Sequence, residues 1–311
     1  MGITMGLLAY AKRTAQLLRR DKYLLLALLP CLLFKLVFNY IPMAGIVLAF
    51  RKFSYAHPIF GTEWVGLHYF KLFFRSPDAW PVIRNTLLIN VYGLLFGFFA
   101  PVALALLFNE VRVKWFRKLA QTASYIPHFV SVVVLVGMMK LFLSPSSGMV
   151  NKVIAAFGGT PIYFFTEPEW FRTLFVASGI WQGVGWGSII YLAAIAGIDA
   201  ELYESSYMDG ANRFRQMWHI TLPGIRPVVI LLLIYNIGGL LGSSTDKVLL
   251  MYNPLTYSTG DVLGTYLYRV GLLGDNFSLG VAIGLFNAVV GLLLLSIANW
   301  FGKRFANVGV M

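Results

Sequence analysis

Charge is scarce in this sequence. Asp, Glu, Lys and Arg make up 12% of its 311 residues, about half the ~25% of a soluble domain. Cysteine is scarcer still: Cys31 is alone and lies in an apolar run, so neither an intramolecular disulfide nor a cysteine-based metal site can form. The phosphate-loop pattern GxxxxGK[ST] is missing, which removes that route to ATP binding. HExxH is missing too, and the four histidines (His57, His68, His128, His219) are scattered. No nucleophile-plus-base motif stands out. The chain thus offers no catalytic residue, no metal ligand set and no cofactor site of its own.

What is abundant is apolar surface. Hydrophobic residues reach 58%, against roughly 45–50% in soluble domains, and the mean hydropathy is +0.72. A soluble domain of this length cannot bury that much. The composition predicts an all-α integral membrane protein. The net charge of +12 then reads as loop charge spread unevenly across a bilayer rather than as a nucleic-acid surface.

Apolar runs long enough to cross a bilayer occur at 23–50, 86–108, 122–143, 171–196, 226–244 and 278–301. Six spans are expected. Pro30 and Pro42 predict a kink or an end in the first, and the fifth breaks at Gly238, Gly239 and Gly242-Ser243-Ser244. The basic tail before the first run resembles a signal peptide, but the run is too long and no cleavage site follows, so an uncleaved span is expected. An even span number puts both termini on one side. Lys12, Arg13, Arg19, Arg20 and Lys22 of the tail, and Arg112, Lys114, Arg117 and Lys118 of the second inside loop, favour the cytosol. The expected organisation is a basic cytosolic tail 1–22, a transmembrane domain 23–305 and a cytosolic tail 306–311. The aromatic-rich outside segment 51–85 suits a membrane interface or an external partner.

The inside loop 197–225 carries the most information. Two short helices are expected, near 201–209 and 212–219, with a bend at Gly210. Phe214, Met217 and Trp218 share one face of the second. Pro223 and Pro227 are expected to stop regular helix and start the next span. A compact hairpin tied to a span suits docking into a groove on another protein; an amphipathic helix on the membrane surface is the alternative.

Glu204-Ser205-Ser206, Asp209-Gly210-Ala211 and Ile220-Thr221-Leu222-Pro223 resemble, at matching spacing, the EAA loop of ATP-binding-cassette (ABC) importer permeases. Ser-Ser replaces the family's Ala-Ala. Further stretches look like the carbohydrate-uptake branch, the maltose-permease relatives: Trp64-Val65-Gly66-Leu67 and Asn85-Thr86-Leu87. Tyr40-Ile41-Pro42, Tyr125-Ile126-Pro127-His128-Phe129, Ile189-Ile190-Tyr191-Leu192 and Tyr252-Asn253-Pro254-Leu255 resemble the subgroup for complex, polysaccharide-derived oligosaccharides. The resemblance implies a multi-pass permease of the bacterial cytoplasmic membrane. Implied partners are a second, homologous permease (a heterodimer), two cytosolic ATPases holding ATP and Mg, and an extracytoplasmic solute-binding protein. It also implies that Glu204, Ser205, Ser206, Asp209, Gly210, Ala211, Ile220, Leu222 and Pro223 form the ATPase-coupling loop, with Glu204 the polar contact. A different imported solute, or an ion-coupled secondary transporter, is the competing reading.

A sugar path needs rings to stack on and groups to hydrogen-bond hydroxyls. Span residues of both kinds are Trp181, Gln182, Trp186, Tyr235, Asn236 and Asn287, with Asn90 and Tyr92 in the second span. Amides and glycines also serve helix packing. Asp246 and Lys247 follow the break in span five and are expected near the outer mouth, facing substrate or binding protein. Lys35 and Lys140 are expected to snorkel or to contact a neighbouring helix.

Overall fold

In hydrocarbon every backbone amide must be satisfied within the protein, and a helix does so locally. The computed structural model describes residues 21–58, 60–239 and 245–306, and these are helical with two isolated bridges in place of any sheet. The basic tail residues Lys12, Arg13, Arg19 and Arg20, the Gly242-Ser243-Ser244 break and tail residues 307–311 lie outside the described residues. The chain divides into two compact units, 1–68 and 69–311.

In the first unit, helix α1 (Lys22–Lys35) runs through Pro30 and changes winding instead of stopping. A π-turn covers Leu36–Tyr40, and a 3-10 stretch follows over Ile41–Ala49, with Pro42 in its first turn. The expected end at Pro42 is therefore a change of helix type. Proline at the start of a helical segment gives up an amide that has no partner there anyway. Lys35 is exposed on α1. Beyond the span, Phe50 stacks on Trp64 with ring centroids 5.6 Å apart.

The second unit opens with α2 (His68–Arg75). It then builds α3 (Ala79–Tyr92), which passes through a π-turn at Gly93–Phe98 into α4 (Phe99–Glu110). The next run departs from one straight span. α5 (Lys114–Tyr125) ends in a 3-10 turn, Ile126–Phe129, and α6 (Val132–Phe142) leaves at 102°. Pro127 stands in that turn, and Ser131 caps α6 by accepting from the Val134 amide. Helix α7 (Met149–Ala156) leads to α8 (Pro168–Ala196), α9 (Ala200–Met208) and α10 (Arg213–Gln216). A π-turn at Met217–Thr221 joins α10 to α11 (Leu222–Gly238). After the break come α12 (Thr245–Met251), α13 (Tyr257–Gly260), α14 (Leu263–Tyr266), a π-turn at Leu267–Leu272 and α15 (Phe277–Ala306). Among the described residues, five continuous helices are long and apolar enough to cross a membrane, and the bent pair α5–α6 can supply a sixth.

Three buried clusters hold this unit. One joins α2, α3, α14 and α15 through Phe73, Val82, Leu263, Tyr266 and Ile283. A second joins α3, α6, α8 and α12 through Ile89, Val136, Phe171 and Val248. The third, at the opposite end of the long helices, joins α4, α8 and α11 through Val102, Ala105, Tyr191, Ile195 and Ile225. The segment 245–272, between the fifth and sixth expected spans, is thus a packed part of the bundle. Phe73, expected at an interface, is core, whereas Tyr55, Trp64, Phe74 and Trp80 are exposed.

Candidate functional site

The turn after α9 is set by Gly210. Its φ of +72° lies in the left-handed region, where a side chain is strained. The Ala211 amide donates to the Ser206 carbonyl and the Gly210 amide to that of Tyr207, closing the helix end. Asp199 caps the start of α9 by accepting from the Glu201 amide, and Asn212 caps α10 by accepting from the Arg215 amide. The first expected helix and the bend are as read. The second differs: α10 is not a separate helix ended by Pro223 but continues through the π-turn into α11. Pro223 sits just after that π-turn, where the winding is already irregular, and Pro227 is absorbed inside the helix.

This elbow is braced to the bundle. Gln216 Nε2 donates to Ser206 Oγ at 3.0 Å and to the Tyr203 carbonyl, and the Tyr203 hydroxyl meets buried Thr221 Oγ1 at 2.9 Å. Arg213 reaches Glu110 at the end of α4, with 3.4 Å between Nη1 and Oε2. Leu222 packs on the third cluster. Ser206 therefore serves the hairpin's interior. Glu204, Ser205, Asp209 and Pro223 are exposed, and Ala211 and Ile220 are half-buried. The tip also exposes large apolar side chains: Met208 is 85% exposed, Phe214 77% and Trp218 65%.

The expected path residues separate. Tyr235 and Asn236 of α11 line a cavity of about 380 Å³ with Asn90, Pro101 and Tyr191. Trp181 lines a different, apolar pocket against Met138, Met139 and Phe142. Gln182 Nε2 donates to the Val130 carbonyl at 2.6 Å, beside the bend. Trp186 stacks on His128, with centroids 4.6 Å apart and planes 2° from parallel. These two hold the α5–α6 bend and do not line that cavity. Asn287 is half-buried on α15 outside its lining, and Asp246 is exposed on α12. Lys247 corrects an expectation. It is buried, donates from Nζ to the Phe175 carbonyl at 2.8 Å and sits over the Phe175 ring. Burial pushes its pKa down to about 8. Lys140 lies over the Phe165 ring, as an end-of-span lysine can.

A polar node went unassigned in the sequence. Asn85, fully buried, donates to the Tyr257, Ser258 and Asp261 carbonyls, and Thr86 Oγ1 accepts from the Leu263 amide at 2.9 Å. Asp261 pairs with Arg269 at 2.6 Å and accepts from Thr265. Burial raises the Asp261 pKa, while Thr265 and Arg269 pull it back. The signal was the Asn85-Thr86 pair directly before an apolar run. Among the described residues no group of three or more His, Cys, Asp or Glu is placed to hold a metal ion.

Residues 93–307 match the family model of the binding-protein-dependent transport system inner membrane component. The chain belongs to this family. It is a non-catalytic permease subunit of an ABC importer. Among curated relatives, Protein LplB of Bacillus subtilis strain 168 is 45% identical over 293 residues, 94% of this chain and 92% of that one. The polygalacturonan/rhamnogalacturonan transport system permease protein YteP of the same strain is 43% identical over 299 residues, 96% of this chain and 93% of the relative. Among solved structures, a chain of a bacterial ABC transporter involved in the import of the acidic polysaccharide alginate superposes with a TM-score of 0.88 at 41% identity. The match covers 94% of this permease and 99% of that chain. A second structure of such an alginate transporter, in complex with an alginate pentasaccharide-bound periplasmic protein, matches with the same TM-score.

Proposed function

We propose that this permease forms half of the path of an oligosaccharide importer in the bacterial cytoplasmic membrane, with both termini cytosolic. Its partners are a second, homologous permease, two cytosolic ATPases that hold ATP and Mg, and an extracytoplasmic solute-binding protein. The relatives named for polygalacturonan/rhamnogalacturonan and alginate support the cargo class. The cavity at Asn90, Tyr235 and Asn236 offers amides for hydroxyls and a ring for a sugar's C–H face.

One observation carries the coupling role. The elbow's tip is exposed and apolar, its base is braced to α4 and α8–α11, and α10 runs on into a span, so the tip cannot move without the span. Closure of the ATPases on ATP pulls the elbow, tilts α11 and opens the path to the loaded binding protein; hydrolysis resets it inward. Glu204 and Ser205 contact the ATPase, Ser206 stiffens the hairpin, and Asp209, Gly210 and Ala211 set the turn. Ile220, Leu222 and Pro223 pass motion to the span. In the reconstituted importer, Glu204→Ala and Gly210→Pro are expected to lower uptake and to free ATPase activity from control by the binding protein, with assembly intact. Unchanged uptake in both variants contradicts the coupling role.

A further inference from the structure

The node above contains an imbalance of charge. Arg172 Nη2 and Arg84 Nη2 both donate to one neutral acceptor, Asn85 Oδ1, at 2.8 and 3.4 Å. Arg84 also donates to the Ser258 carbonyl, but neither guanidinium is in an ion pair among the described residues. Arg172 Nε is buried with no acceptor at all. A guanidinium has five donors and keeps its charge at every physiological pH, and a half-buried charge without a counter-ion is costly. Arg172 is half-buried and Arg84 beside it is exposed; among the described residues no carboxylate lies within ion-pair distance of either, so Arg172 is open to an anion from outside the chain.

Arg172 opens onto space. It lines a cavity of about 600 Å³ between α8 and the α3 π-turn, walled by Tyr92, Phe96, Thr173 and Val176. Two aromatic rings and a hydroxyl beside a fixed cation suit a sugar bearing a carboxylate: the fork takes the acid group and the rings take the C–H face. Glu169, also on the wall, is exposed one turn nearer the helix start, where water screens its repulsion.

We propose that Arg172, with Arg84 beside it, anchors a carboxylate of an acidic sugar in this cavity, so that the permease itself selects acidic oligosaccharides. The proposal rests on the oligosaccharide reading above and narrows it to a cargo class.

The test uses the complete importer in lipid nanodiscs without its binding protein. Equilibrium binding is measured for a labelled uronic-acid trisaccharide and for the same trisaccharide with its carboxyls reduced to alcohols. The unmodified importer is expected to bind the acid more tightly. Arg172→Gln is expected to weaken the acid by about tenfold or more, the effect of losing a hydrogen bond to a charged group, and to leave the neutral sugar unchanged. Arg172→Lys retains the charge and much of the preference, and Arg84→Gln weakens the acid with the same selectivity. Equal losses for both sugars would assign Arg172 to packing alone and overturn the proposal; so would acid binding that no variant alters, or an unmodified importer that does not prefer the acid. Uptake of an oligosaccharide panel by the importer with its binding protein tests the cargo reading separately. Uptake of neutral members with no acid preference removes the subsite alone, and uptake of none removes both.

Discussion

Lys247 shows how little a residue's neighbours in sequence reveal. Following Asp246 and a glycine-rich break, it reads as a mouth residue, yet the fold turns it inward onto Phe175. Its folded pKa of about 8 lies below the ordinary 10.5. The unfolded chain therefore binds the extra proton between those values, and stability must rise as pH climbs from 8 to 10.5. Below 8 both states are protonated and the penalty is fully present. We predict that Lys247→Met abolishes this rise, which is worth up to about 3 kcal/mol, and that the variant melts higher than the parent at pH 7; melting of the purified importer across pH 7 to 11 measures both. Asn85 and Thr86 make the complementary point. Their motif is visible in sequence as a family likeness, but their role, clamping the backbone of 257–263, depends on partners more than 170 positions away. Arg172 was hidden differently: one cation inside an apolar run reads as a span end, and only the fold brings Arg84 beside it.

At the scale of elements, hydropathy located the spans because apolar length is a local property. Three of the six expected runs, 86–108, 171–196 and 278–301, fall within long continuous helices of the second unit, and the fifth, 226–244, overlaps a helix that starts well before it, Arg213–Gly238. Two features were not legible. The α5–α6 bend needs a partner to stabilise its opened backbone, and that partner, Gln182, lies 52 positions from Val130. The continuity of α10 with α11 was masked by two prolines that normally signal a stop. A lone amide in a span reads equally well as a sugar contact or as a helix tie, and Gln182 is the tie. We predict that Gln182→Leu lowers stability by about 1 kcal/mol, the usual worth of a side-chain hydrogen bond in a membrane bundle. Thermal denaturation of the importer in detergent measures it, and a solute affinity that stays at the parent value separates this role from direct contact.

For the whole molecule, composition alone pointed to the class, a chain too apolar for water. The elbow was legible because its turn, caps and tip are contiguous in sequence, whereas the cavities are not, being lined by helices far apart along the chain. The proposed coupling at this scale rests on the elbow being gripped by a separate motor. The direct measurement places a single thiol at Ser205, with Cys31 replaced by Ser, and follows its labelling by a water-soluble reagent before and after the ATPases are added. We predict rapid labelling of the exposed site in the permease pair and a fall of about tenfold or more on assembly, as expected for a site buried in a protein interface. Labelling that stays rapid in a fully assembled, transporting importer would contradict the coupling role of the elbow.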